Sequence, residues 1–186
     1  MKHYAGKYYH VYNRGTNRQP IFASDENYHF LLRRVNQFLP LYPLQIIAYA
    51  LMPNHYHFLI GVNEDGALAP FFQRLFNSYS QAFNRQQNRT GTLFEGRAKS
   101  ILVDDSSYVY AITRYIHLNP VVAGLVGNPE DWQFSNYLEW IGVRTGGLFD
   151  SRFRNSFFSS PEEYRQFVVS DIPYALERKL LKYYFD

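Results

Sequence analysis

An α+β fold is what the first 126 residues predict, and three observations carry it. Short runs rich in Tyr, Val, Ile and Leu have strand character. Longer stretches between them repeat apolar residues at helical spacing. Gly, Pro and Asn fall at the joints, where turns need them.

Taken in order, YYHVYNRG (8–15) alternates and ends in Gly15, which predicts a first strand and turn. In FASDENYHFLLRRVNQFLP, Ser24 is placed to cap a helix, and Tyr28, Leu31, Leu32, Val35, Phe38 and Leu39 follow helical spacing. Pro40 and Pro43 end it. LQIIAYALM (44–52) predicts a second strand, and Pro53-Asn54 links it tightly to a third, HYHFLIGV. Leu68, Phe72, Leu75, Tyr79 and Phe83 form the stripe of a long helix that closes in NRQQNRTG (84–91). AKSILV (98–103) predicts a fourth strand. DDSSYVYAITRYIHLNP (104–120) predicts a helix that stops near Pro120, because the residue before a proline avoids the helical region. Asn119 would then cap a following helix, PVVAGLV.

The β-α-β-β-α-β order is the split βαβ, or ferredoxin-like, signature. It predicts an antiparallel sheet with helices on one face and HYHFLIGV as an interior strand. The last sixty residues predict helices. SPEEYRQFV (160–168) opens with a capping box from Ser160 to Glu163 and Pro161 at the first helical position. DIPYALERKLLKYYF predicts a closing helix, and 142–159 is the least ordered stretch. The division is therefore a domain over 1–126 and a helical extension over 127–186.

Composition narrows the function classes. A length of 186 residues suits one domain with an appended subdomain, and 46% hydrophobic residues can build a sizeable core. With no cysteine, disulfides, thiol catalysis and Cys-ligated zinc are excluded. No segment approaches a membrane span, and MKHYAGKYYH lacks the apolar stretch of a signal peptide, so a soluble cytoplasmic protein is expected. The net charge of +3 is uneven: residues 1–125 hold 12 Lys and Arg against 7 Asp and Glu, and the remainder is net −2. Aromatics reach 19%. A basic, aromatic-rich first part suits a nucleic-acid partner, while the same rings can equally fill a core.

The sharpest local signal is MPNHYHFLI (52–60). Side chains alternate along a strand, so His55 and His57 share a face with Leu59, and Tyr56, Phe58 and Ile60 form an apolar stripe on the other. Two imidazoles side by side can supply two ligands to a divalent metal, or simply be paired histidines on an open sheet face. A third ligand has to come from elsewhere. The helix over 104–119 carries Tyr115 and Asn119 one turn apart, about 6 Å from each other. Tyr108, Ile112, Tyr115 and Asn119 share one face, which is also the pattern of a core stripe; Tyr110 lies on the other side. His117, about 200° from Tyr115 on the wheel, reads as structural. His10 lies in the first strand, with no placement relative to this group. Imidazole ligands alone suit zinc or nickel as well as other divalent ions.

Here the chain resembles a known family. YHVYNRG (9–15) with Ile21-Phe22, YALMPNHYHFLI (49–60), SYSQAFNRQQNRTGTLFEGRAKS (78–100) and YIHLNPVVAGLV (115–126) follow in order the segments of the single-tyrosine HUH transposases, the IS200-like group. Within that group they look like the REP-associated tyrosine transposases. WQFSNYLEWIG (132–142) and SPEEYRQF (160–167) match weaker C-terminal segments. The resemblance implies that His55 and His57 are metal ligands, that Tyr115 is the nucleophile and that Asn119 completes the metal site. It implies Mg²⁺ or Mn²⁺, and cleavage of single-stranded DNA beside a palindromic hairpin through a 5′-phosphotyrosine with a free 3′-OH. No small-molecule cofactor is needed, because the same chemistry reversed rejoins strands. It also implies a bacterial, nucleoid-associated protein. Insertion-sequence relatives are dimers with shared active sites; the appended helices here lean toward a monomer.

The phosphate-contact candidates are Arg85, Arg89, Arg97 and Lys99, with a solvated basic loop as the bland counterpart; Arg14 and Arg18, in the turn after the first strand, are candidates to read bases or backbone near the hairpin foot. Val122 and Ala98 depart from the family, which usually has Arg or Lys and an aromatic there. Two rivals to the enzyme stand. One is a domesticated hairpin-binding module without turnover. The other is an RNA-binding domain whose sheet aromatics stack bases, which leaves His55, His57 and Tyr115 without a joint role.

Overall fold

In a computed structural model describing residues 2–104 and 106–177, four strands make one antiparallel sheet. They are β1 (Lys7–Arg14), β2 (Leu44–Met52), β3 (His55–Val62) and β4 (Lys99–Val103), ordered β2-β3-β1-β4. β3 is interior, as its apolar content predicts.

Helices α1 (Asp25–Phe38) and α2 (Leu68–Gln86) follow β1 and β3 and lie on one face of the sheet. Ser24 caps α1 in a capping box completed by the side chain of Asn27. Tyr56, Phe58 and Ile60 of β3 meet Leu31 and Val35 of α1 and Phe71, Leu75 and Tyr79 of α2. Aromatic rings make much of this layer: Tyr56 stacks on Phe76 at 4.2 Å, and Tyr28 lies between Phe22 and Phe134 at 4.1 and 3.9 Å.

The opposite face is covered too. Helix α3 (Ser106–Val122) packs Ile112, Tyr115 and Ile116 against Ala48, Ala50 and Leu59. Behind it stand α4 (Tyr137–Trp140) and α6 (Pro161–Val169), which bring Tyr137, Trp140 and Tyr164 into the same cluster. A bulge between Ile46 and Ala48 turns both Ile47 and Ala48 toward this face. The Ile47 carbonyl accepts from the Trp140 indole and the Asn136 amide, each at 3.0 Å.

The segment 132–136 then closes the exposed edge of β2. Leu51 N–H donates to Phe134 O, Asn136 N–H to Tyr49 O, and the Trp132 indole to Leu51 O. An edge strand left bare would invite pairing with other chains.

Two expectations change. α3 does not stop before Pro120 but runs through it to Val122, so Asn119 lies inside the helix and caps nothing. Proline costs the bond to the Ile116 carbonyl, but Leu118, Asn119 and Val121 around it are all buried, and packing outweighs local preference. The helix ends in a Schellman motif: Leu125 N–H donates to Pro120 O and Gly124 N–H to Val121 O, with Gly124 at φ +74°. The stretch 142–159 contains a short helix, α5 (Ser151–Asn155), whose cap Asp150 accepts from the Arg152 N–H. The predicted closing helix is seen as α7 (Ile172–Glu177), and its remainder lies outside the described residues. Among the described residues no helix is long and apolar enough to cross a membrane.

Candidate active site

The site forms where the second face of the sheet meets α3. In β3, His57 lies opposite Tyr12 and Ala50, and His55 opposite Arg14 and Met52. Alternation sends both imidazoles under α3, their rings 5.1 Å apart at 83°. From α3 the Tyr115 ring comes in edge-on, 5.9 Å from His57. Asn119, one turn on and 7% exposed, donates to the Tyr115 carbonyl at 3.3 Å. The structure thus sets Tyr115 of α3 against His57 of β3, with His55 beside His57 and Asn119 one turn from Tyr115.

Two neighbours join them. The His10 ring from β1 stacks on His57 at 5.2 Å and stands 6.1 Å from Tyr115. Its Nε2 is 3.0 Å from His57 Nδ1. Tyr12, two residues on, stacks on His57 at 5.9 Å. The sequence offers a signal for both: β1 alternates, so His10 and Tyr12 must share a face. What it lacks is the register that sets Tyr12 against His57.

Burial dominates the electrostatics. It lowers His55 to about 4, assisted by the positive charge of Arg14, and lowers His10 to about 4. His57, only 1% exposed, is held well below its ordinary value by burial and then by its histidine neighbours. Lowering of this kind favours the neutral imidazole, the form in which His55 and His57 could ligate a metal. Burial pushes the Tyr115 phenol up, partly offset by a hydrogen bond from the Asn119 side chain.

These residues fit a divalent cation. His55 Nδ1 is 2.7 Å from Asn54 Oδ1; an amide oxygen only accepts, so Nδ1 carries the proton and Nε2 keeps its lone pair. Metal-bound histidines have this arrangement. Among the described residues no three His, Asp or Glu side chains form a ligating group. Further ligands beyond His55 and His57 would therefore be an amide such as Asn119, a phenol, water or substrate phosphate. His117 is elsewhere: Tyr164 lies 2.6 Å from its Nδ1 and Asn136 Oδ1 2.9 Å from its Nε2, a structural role as its wheel position predicts.

The basic candidates divide. Gly15, at the end of β1, allows a close turn, since a Cβ there would stand 2.1 Å from Gln19 O. The turn continues through Asn17 and Arg18 at φ +54° and +58°, and the Arg18 carbonyl accepts from Asn54. The segment 92–97 docks on this end: Thr16 N–H donates to Leu93 O, Glu95 N–H to Arg14 O, and Asn13 to Gly96 O. Arg14, Arg18 and Arg97 are thereby exposed near His55, and Lys99 lies over the Tyr12 ring at 5.8 Å. Arg14 is engaged by Glu95. Arg89 folds back toward Phe83 and donates to Thr92 O. Arg85 is exposed on α2, and among the described residues no hydrogen bond or ion pair ties it to the site. Helices cover both faces of the sheet, so among the described residues there is no open platform of sheet aromatics on which RNA bases could stack.

Residues 3–119 match the family described as Transposase IS200 like. A candidate REP-associated tyrosine transposase of Haemophilus influenzae is 25% identical over 134 residues, 63% of this chain and 76% of that one. The solved structure of a REP-associated tyrosine transposase bound to a REP hairpin superposes with a TM-score of 0.61 at 17% identity, covering 81% of this chain and 94% of the other. That likeness is one of fold.

Proposed function

The chain belongs to the IS200-like transposase family, and on that premise we propose that it cuts and rejoins single-stranded DNA beside a hairpin, with Tyr115 as nucleophile. One observation carries the reading: the buried Tyr115 ring of α3 stands 5.9 Å from the His57 ring, and His55 lies 5.1 Å from His57 on the same strand.

His55 and His57, with Asn119, would hold Mg²⁺ or Mn²⁺. Bound there, such a cation supplies charge neutralisation at the scissile phosphate. The chain's own residues do the rest. Burial raises the Tyr115 phenol, so it is protonated at rest and gives up its proton only as charge is neutralised at the phosphate. On attack, the phenol oxygen bonds to phosphorus and its proton passes, directly or through water, toward the leaving 3′ oxygen. The P–O3′ bond breaks, and the departing 3′ oxygen takes up a proton. The phosphotyrosine stores the energy of the broken bond, and an aryl oxide leaves readily in the reverse step, so rejoining needs no ATP. Asn54 fixes the His55 ring. Arg14, Arg18, Arg97 and Lys99 line the approach to the His55 end and would hold the strand by its phosphates, with Arg85 and Arg89 farther along α2. The hairpin in the fold relative's structure makes a palindromic hairpin the first substrate to test here.

The test uses labelled single strands bearing a hairpin, incubated with purified protein and Mn²⁺. The wild type should cleave them, EDTA should abolish cleavage, and Tyr115→Phe should bind but not cut. Hairpin binding without cleavage under either metal would instead support a binding module.

A further inference from the structure

We infer that His10 is a positioning residue, whose Nε2 accepts the His57 Nδ1–H and so aims His57 Nε2 at the cation. This rests on the metal site proposed above. The two nitrogens are 3.0 Å apart in a fully buried contact, and the rings lie nearly parallel, at 24°.

The argument is one of protons. Two neutral imidazoles facing nitrogen to nitrogen share a single proton, so one donates and the other accepts. A His57 that ligates through Nε2 has its lone pair there and must carry its proton on Nδ1. His10 then accepts, and its own proton sits on Nδ1. That atom is buried and, among the described residues, has no hydrogen-bond partner. In the other direction His10 donates, the His57 proton moves to Nε2 and the ligand is lost. Cation binding and the His57-to-His10 direction are therefore coupled. His10 is not itself a ligand, since no three such side chains among the described residues form a ligating group. Packing holds it in place: it is fully buried in β1, opposite Leu59 on one side and Ile101 on the other. Asn54 does for His55 what His10 does for His57, so each imidazole has its Nδ1 held by a neighbour.

The experiment is Mn²⁺ titration of DNA-free protein by calorimetry, for wild type, His10→Phe and His10→Gln. Phe keeps a ring and removes the acceptor; the Gln amide can place an acceptor near the Nε2 position. Loss of such a partner typically weakens metal affinity by about 10–100-fold, and that is expected for Phe, with most of it restored by Gln. Metal-free hairpin binding should be unchanged in both. Equal Mn²⁺ affinity in wild type and His10→Phe overturns the inference while leaving the metal site standing. If His55→Ala/His57→Ala binds Mn²⁺ as wild type does, the metal site falls and this inference with it. Nitrogen NMR of the unmodified protein with Mg²⁺ decides the matter even if a variant fails to fold. His57 protonated on Nδ1 supports the inference, and His57 protonated on Nε2 overturns it.

Discussion

His117 shows how far burial sets the behaviour of a single residue here. Its ring lies between Tyr164 and Asn136, deep in the cluster between α3 and the C-terminal helices. Burial lowers it from 6.5 to about 4, against a smaller opposing effect from Asn136. Between those values the unfolded chain binds the proton more readily than the folded one. Stability is thus undiminished above pH 6.5, falls as pH drops toward 4, and levels off below. At 1.36 kcal/mol per pH unit the loss reaches about 3 kcal/mol for this residue. His117→Asn should flatten the dependence of the urea midpoint on pH across that window. An unchanged slope would show that His117 is already protonated in the fold. Tyr115 and His57 were legible as residues in the sequence, but their meeting came only from the family resemblance; spacing does not give it, because it depends on which face α3 covers. His10 needed the sheet register: alternation alone puts it beside Tyr12 and does not say which strand it faces.

At the scale of elements, the sequence marks strands and helices well where local chemistry decides them. β2 and β3 span the residues their apolar runs predict, and Ser24 and Ser160 cap the helices they precede. It fails where tertiary contacts decide. Asn119-Pro120 has the local signature of a helix boundary, yet Leu118 and Val121 are buried on either side and α3 continues. The bulge at Ile47 and the pairing of 132–136 with β2 have no periodic signature at all. Asn136 is central to that pairing: its Oδ1 accepts from Tyr49 N–H, and its amide donates to Ile47 O. Its Oδ1 also meets His117 Nε2. Asn136→Ala strands these buried groups and should cost on the order of 3 kcal/mol, read from chemical denaturation. A loss below about 1 kcal/mol would mean that water or a local shift replaces them.

For the molecule as a whole, composition was an ambiguous guide. The aromatic excess suits stacking on bases, but the rings catalogued in the core, such as Phe71, Tyr79, Tyr137 and Trp140, are buried between helices and sheet. The charge asymmetry is the better pointer. Arg14 and Arg18 come from the end of β1 and the turn after it, Arg97 and Lys99 from the start of β4 and the segment before it, and the sheet pairs Arg14 with His55 and Lys99 with Tyr12. If Arg97 contacts a phosphate, Arg97→Ala should reduce the slope of log affinity against log salt by about 0.7–0.9. Arg33, paired with Glu26 on α1, should give no change when replaced. Fluorescence anisotropy with a hairpin strand at several salt concentrations measures both. Equal slopes for wild type and Arg97→Ala would remove Arg97 from the interface.

The central claim is that Tyr115 bonds covalently to DNA, and peptide mapping tests it most directly. The protein is incubated with a hairpin-bearing single strand and Mn²⁺, denatured, digested with protease and nuclease, and examined by mass spectrometry. The account predicts a nucleotide adduct on the peptide containing Tyr115, absent with EDTA and absent in Tyr115→Phe. An adduct on Tyr12, Tyr108 or Tyr110, or one that persists in Tyr115→Phe, would contradict it.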